Sequence, residues 1–160
     1  MNVYIILAVI AGLPLLLALL FRVNAILLFL GVAVGALLAQ YIADDASLVV
    51  NSFFTHINVD DYVKLGLLIL PVILTLLFLR KTLSPPQLVF HLLPLVITAA
   101  AFATLIISAL PGGVQHDILA NPIGKIADSS QNVLIAASSI LTLLLAMFTM
   151  GHKGKRGKHH

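Results

Sequence analysis

The chain contains no cysteine, no tryptophan and no glutamate, and charged residues make up only 9% of its 160 positions. The lack of cysteine excludes disulfides, thiolate metal sites and a cysteine nucleophile. The shortage of charge argues against a soluble domain, which carries about 25% charged residues. Apolar residues make up 61%, and the mean hydropathy is +1.12. Because a small globule leaves much of its surface exposed, this composition predicts a protein that uses the lipid bilayer as its solvent.

Five apolar stretches predict membrane crossings, since a spanning helix needs about 20 mostly apolar residues. They are 3–21, 23–43, 62–79, 88–110 and 133–150. Lys64 lies near the end of the third, where a lysine can reach the headgroups. His91, about two turns after Pro85, is expected at headgroup depth as an anchor or packing residue, with a proton switch as the alternative. The predicted fold is all-α: a polytopic integral membrane helical bundle of five transmembrane helices, with one domain over 1–150 and a basic tail over 151–160.

The distribution of basic residues predicts the orientation, because cytoplasmic loops are enriched in Lys and Arg. Five crossings place two basic residues, Lys64 and Lys125, on one face together with all six aspartates. The opposite face carries seven: Arg22, Arg80, Lys81, Lys153, Lys155, Arg156 and Lys158. The prediction is therefore an N-terminus outside and a C-terminus inside the plasma (inner) membrane of a bacterial-type cell. These seven side chains are predicted to contact anionic lipid headgroups.

The first long connection predicts a short amphipathic helix near 48–57 that lies on the outer leaflet or covers the mouth of the bundle. Its apolar residues fall on one helical stripe: Val49, Val50, Phe53, Phe54 and Ile57. Ser47 is the predicted cap, and Asp44 and Asp45 suit the positive end of the helix dipole. The second long connection, over 111–132, is expected to be similarly structured.

Two nine-residue strings predict an internal duplication. LPLLLALLF at 13–21 and LPVILTLLF at 70–78 share six residues, including the proline, at an offset of 57. A weaker match to these strings, LTLLLAMF, occupies 141–148. One hypothesis is a tandem hairpin repeat over 1–57 and 58–114 followed by a fifth helix. The alternative is that leucine-rich spans resemble one another by composition alone.

Small residues and prolines mark features inside the predicted spans. Gly31, Gly35 and Ala39 are spaced by four, as are Ala99 and Ala103, so each set predicts close helix packing. That packing is either within the chain or against another protein. Kinks are predicted at Pro14, Pro71 and Pro94, because proline removes a helix hydrogen bond.

The search for chemistry predicts no catalytic site and no cofactor. His56, His116 and Asp117, with Asp60 and Asp61 nearby, are weak candidates for a metal site, because their spacing matches no zinc motif. The same residues could form a hydrolase site with Ser47 or Ser129, but no nucleophile motif supports it. The basic tail is expected to bind lipid and not nucleic acid, since no nucleic-acid-binding fold accompanies it.

The stretch LLFRVNAILLFLGVAVGALLA at 19–39 resembles the colicin V production protein family of bacterial inner-membrane proteins. The resemblance covers about a seventh of the chain, and this sequence departs from the family's four spans and from its glycine and arginine pattern. The expectation that the residues favour is a small non-enzymatic membrane protein, a scaffold, assembly factor or accessory subunit that packs against another membrane protein or itself. The alternatives are a passive channel or small transporter formed by oligomerisation, a membrane enzyme with an outer His/Asp site, and a colicin V production-like protein.

Overall fold

Every regular element is an α-helix in the part of the chain that a computed structural model describes, which is residues 3–53, 59–83 and 85–153. Seven helices fall in those ranges. They are α1 (Val3–Leu20), α2 (Ala25–Tyr41), α3 (Ala43–Phe53), α4 (Asp60–Phe78), α5 (Pro85–Ala109), α6 (Gly112–Ala120) and α7 (Pro122–Lys153).

Several of these helices are long and apolar enough to cross a membrane. Three pass on length and composition: Asp60–Phe78, Val89–Ala109 and Pro122–Thr149. A fourth crossing is possible if α2 and α3, which meet at an angle of 66°, are counted as one broken span. The described part of the first predicted span, Ile5–Leu20, is a shorter apolar helix. The count of five crossings therefore stays a prediction.

Helix α5 lies at the centre of the bundle. In its spanning segment 61% of the residues are buried, against 17% in α4 and 11% in α7. Helix α2 packs closely along α4, α5 packs along α7, and α1 packs on α5. The most deeply buried large side chains include Leu28 of α2, Leu68 of α4, Leu95 of α5 and Ile118 of α6. The helices around α5 thus leave most of their outer faces uncovered.

The predicted amphipathic helix begins earlier than expected. Helix α3 starts at Ala43, and its last described residue is Phe53; Phe54 and Ile57 lie outside the described residues. The prediction that Ser47 caps this helix is wrong. Ser47 lies inside α3, is buried, and its hydroxyl donates to the carbonyl oxygen of Asp44 at 2.8 Å, an alternative that short hydroxyl side chains commonly take within helices.

Helix α7 begins eleven residues before the predicted span over 133–150, because the second long connection is itself helical. This connection contains α6 and the first three turns of α7. Pro122 opens α7, where a missing backbone N–H costs nothing, and the side chain of Asn121 accepts from the backbone N–H of Ile123 at 3.0 Å. Pro14, Pro71 and Pro94 each lie inside a continuous helix. A sharp bend of 66° falls at Ile42, where there is no proline.

The succession of helices repeats along the chain in step with the duplicated strings at 13–21 and 70–78. Two long helices and a short one, α1 to α3, are followed by the same series, α4 to α6, and then by α7. The packing is also equivalent, since α2 packs along α4 as α5 packs along α7, and α3 contacts α4 as α6 contacts α7. The duplication of the chain stays a prediction that this order favours.

Candidate functional site

A line of polar side chains runs along the contact between α5 and α7. Thr98 and Ser138 are fully buried, and their hydroxyl oxygens lie 2.7 Å apart in a hydrogen bond across the two helices. Nearer the end of α5, the hydroxyl of Ser108 donates to the side-chain oxygen of Gln131 at 2.9 Å. The order of the partners shows that α5 and α7 are antiparallel, and the two pairs stand ten residues apart on α5 and seven apart on α7. We call this line the polar seam.

Two buried polar atoms extend the seam and have no hydrogen-bond partner among the residues that the structure describes. They are Nδ1 of His91 and Oγ1 of Thr142, on side chains that are 4% and 5% exposed. His91 lies two turns from Thr98 on the same face of α5, and Thr142 lies one turn from Ser138 on α7. From Ser108 to His91 the seam covers about 25 Å at 1.5 Å per residue, most of the roughly 30 Å hydrocarbon core. Of the two roles predicted for His91, interfacial anchor or packing residue, its buried side chain favours the packing role.

The short turns after α1 and α4 are joined into one structure, which we call the double turn (21–24 and 79–83). The backbone N–H of Lys81 donates to the carbonyl oxygen of Phe21 at 2.7 Å, and that of Leu83 donates to Arg22 at 3.1 Å. The backbone N–H of Asn24 donates to Oγ1 of Thr82 at 2.8 Å. The guanidinium of Arg80 lies 4.5 Å from the centre of the Phe21 ring, a cation–π contact. Two turns that are 58 residues apart in sequence therefore form a single surface.

Basic residues occupy the two strained positions of the double turn. Arg22 has φ = 52° and Lys81 has φ = 59°, a left-handed conformation that glycine adopts without cost and that costs other residues about 1–2 kcal/mol. Arg22 ends α1 in a Schellman motif, since its N–H donates to Leu19 and the N–H of Val23 donates to Ala18. Arg22, Arg80 and Lys81 are all exposed. The strain is of a kind often found at functional surfaces.

The predicted small-residue stripe on α2 faces α4. A Cβ atom on Gly31 would lie 2.5 Å from Oγ1 of Thr75, and one on Gly35 would overlap the backbone carbonyl of Leu68. Ala39 continues this face and is buried. On α5, Ala99 and Ala103 are also buried. The close approach of α2 and α4 therefore lies within the chain.

In the ranges 3–53, 59–83 and 85–153, no three His, Cys, Asp or Glu side chains could together hold a metal ion. His116 and Asp117 are exposed on α6. The hydroxyl of Ser129 donates to the carbonyl oxygen of Ile126 at 3.1 Å. His56, Lys155, Arg156 and Lys158 lie outside the described residues, as does the side chain of Lys153.

Helix α7 carries an uncovered face that continues from polar to apolar residues, which we call the α7 ridge. It consists of exposed residues that recur at three- and four-residue intervals: Lys125, Ser129, Asn132, Ala136, Ile140, Leu143 and Met147. The 32 residues of α7 extend about 48 Å at 1.5 Å per residue, so the helix is longer than the hydrocarbon core is thick. The helical spacing of these residues can be read from the sequence. It was not recognised, because the spacing begins in the predicted loop over 111–132 and continues into the predicted span over 133–150.

Comparisons with protein-family models, with curated proteins and with solved structures find no match to this chain. The resemblance of residues 19–39 to the colicin V production protein family thus has no support from these comparisons.

Proposed function

We propose that the chain is a non-enzymatic integral membrane protein, a scaffold or accessory subunit that holds a helix of another membrane protein. The observation that carries this proposal is the α7 ridge. The spanning segment of α7 is 11% buried within the chain, although α7 is its longest helix. A partner helix laid along it would meet an apolar centre and a polar edge, the usual composition of a protein interface.

The middle of the ridge suits close helix contact. Ala136 lies between the polar residue Asn132 and the apolar residue Ile140, and small side chains let membrane helices approach one another. Asn132 offers an amide that can hydrogen-bond across helices. The first three turns of α7 extend the same face beyond the apolar segment with Lys125 and Ser129.

The test is partner recovery from native membranes in mild detergent. Ala136→Phe places a large ring at the centre of the ridge, and Val34→Phe is the matched control on an exposed face of α2. Overpacking costs about 1–3 kcal/mol, so Ala136→Phe should lower the recovered partner about tenfold, while Val34→Phe should leave it unchanged. Equal recovery from both variants, or no partner with the unmodified chain, would contradict the proposal.

The proposed arrangement crosses a bacterial plasma membrane five times, by α1, α2, α4, α5 and α7, with the double turn and the C-terminus inside. Its support is the separation of charge: Arg22, Arg80 and Lys81 gather at one end of the bundle, while the aspartates lie in α3, the first turn of α4, α6 and early α7. Cytoplasmic enrichment of Lys and Arg gives the direction. The tail over 151–160 and the double turn are then proposed to contact anionic lipid on the same side.

A second candidate function, passive conduction, is favoured by the polar seam. Ionisable residues within membrane spans often mark an ion or proton pathway, and His91 lies in a span with a partnerless Nδ1. Such a path would run within one chain, along α5 and α7. In liposomes with an internal pH dye, the chain should then dissipate an imposed pH gradient, and His91→Phe should prevent this. No flux from well-reconstituted protein would eliminate this candidate.

A further inference from the structure

An apolar groove lies between α1 and α4, and Leu17 and Leu76 are its lining residues nearest the double turn. Helices α1 and α4 run side by side to this turn but are not packed along each other, because their ends are joined while α5 separates their bodies. The groove between them has a volume of about 380 Å³, and its walls present no polar surface. Its lining comes from three helices and includes Leu13, Leu17, Ile69, Ile73, Phe102 and Ile106. This groove is separate from the α7 ridge.

The dimensions of the groove match one acyl chain. Along α1 it runs from Val9 to Leu17, about 12 Å, and along α4 from Leu65 to Leu76, about 16 Å, at 1.5 Å per residue. Half of a hydrocarbon core of about 30 Å is about 15 Å, which is the depth that one leaflet's chains fill. The occupant that fits is therefore a single lipid chain.

The charge at the closed end of the groove selects the headgroup. Arg22 lies five residues beyond Leu17, about 7 Å along the axis, which is comparable to the thickness of the headgroup zone of a leaflet. Lys81 and Arg80 lie beside it, because the two turns are bonded together. The nearest acids along α4, Asp60 and Asp61, lie at its opposite end, about 27 Å away. The three exposed cations thus face the headgroups with no carboxylate of α4 nearby.

We propose that the double turn and the groove form one binding site for an anionic phospholipid, with its headgroup on Arg22, Arg80 and Lys81 and one acyl chain between α1 and α4. The left-handed backbone at Arg22 and Lys81 supports this assignment. Glycine would be the natural residue at both positions, yet both are basic and exposed. This site does not depend on the proposed partner of α7, and either proposal can fail alone.

The chain has no tryptophan, so a single introduced tryptophan can report on the lipid beside it. Ile73→Trp places the probe in the groove, and Ile140→Trp places it on α7 as the matched control outside the groove. Each protein is reconstituted in phosphatidylcholine vesicles that contain increasing fractions of chain-brominated phosphatidylglycerol, which quenches tryptophan on contact. Quenching in the groove should reach half its maximum at an anionic lipid fraction at least about fivefold lower than at Ile140→Trp, because one nearby cation alone adds about that preference.

Two further measurements distinguish the contribution of the lipid headgroup from that of the acyl chain. Brominated phosphatidylcholine should show no such preference for the groove, and equal quenching by the two lipids at Ile73→Trp would refute the headgroup part. Arg22→Gly combined with Lys81→Gly keeps the left-handed turns, which glycine prefers, and removes two charges. The anionic preference at Ile73→Trp should then fall at least about fivefold. Retained preference in this folded variant, or identical quenching curves at the two tryptophan positions, would overturn the site.

Discussion

Substitution of Gly35 by alanine tests the close contact between α2 and α4. The new Cβ would overlap the carbonyl oxygen of Leu68 and lie 3.1 Å from its carbonyl carbon and 3.3 Å from its Cα. These are backbone atoms of α4, so no side chain can rotate to make room. Helices α2 and α4 must separate, and this contact is continuous with the core around Leu28 and Val72. The separation would therefore disturb buried packing on both helices.

The magnitude follows from two opposing effects. Overpacking of a well-packed core costs about 1–3 kcal/mol, while alanine gains about 0.5–1 kcal/mol over glycine in a helix. The net loss of stability for Gly35→Ala should be about 1–2 kcal/mol. Gly66→Ala is the matched control on α4, because a Cβ there meets no heavy atom within 4 Å. It should leave stability unchanged or raise it by up to about 1 kcal/mol.

Gly31 provides an internal comparison, because the atom nearest its Cβ belongs to a side chain. Oγ1 of Thr75 would lie 2.5 Å away, although the carbonyl oxygen of Pro71 follows at 3.3 Å. Thr75→Ala removes that hydroxyl, which donates to Pro71, so it should partly rescue Gly31→Ala. No side-chain substitution should rescue Gly35→Ala in the same way. Thermal unfolding followed by circular dichroism in mild detergent measures all variants, and a Gly35→Ala protein as stable as Gly66→Ala would refute the packing argument.

Three further predictions concern the seam, the turn and the orientation. A double-mutant cycle of Thr98→Val and Ser138→Ala should give a coupling of about 0.6 kcal/mol and not above about 1.7, the range for hydrogen bonds between membrane helices; zero coupling in a thermal unfolding assay would mean that the buried pair adds nothing. Arg22→Gly should stabilise the chain by about 1 kcal/mol in the same assay through relief of left-handed strain, and destabilisation would count against that backbone assignment. A membrane-impermeant thiol reagent should label Ser52→Cys from outside intact cells and Lys81→Cys only after lysis, and the reverse pattern would invert the proposed orientation.

Much of the helical framework can be predicted from the apolar runs. The spans over 62–79 and 88–110 fall within two residues of α4 and three of α5 at their ends, because uncharged stretches between turn residues have few alternatives in lipid. The four-residue spacing of Gly31 and Gly35 identified residues that face α4. The break at Ile42 could not be foreseen, since neither proline nor glycine marks it and the change of direction depends on how α3 contacts α4.

The candidate sites were less accessible from the sequence. Thr98 and Ser138 are unremarkable alone, and only the antiparallel register of α5 and α7 brings their hydroxyls together. A partial signal existed, since His91 and Thr98 are seven residues apart and so share a helical face. The sequence carried no signal for the double turn, because it joins backbone groups of residues such as Phe21 and Lys81 that are 60 positions apart. Its basic character was visible, but its attachment to an apolar groove was not.

A photocrosslinking scan of α7 tests the central claim, partner docking on the α7 ridge, most directly. The native chain has no cysteine, so single cysteines at Ala136, Ile140 and Leu143 can each carry a benzophenone maleimide in native membranes. Leu93→Cys on α5 is the control, because Leu93 and Ile140 are both 60% exposed. The account predicts a protein adduct of one mass at the three ridge positions and none at Leu93. Lipid adducts alone at all four positions, or the same protein adduct at Leu93, would contradict it.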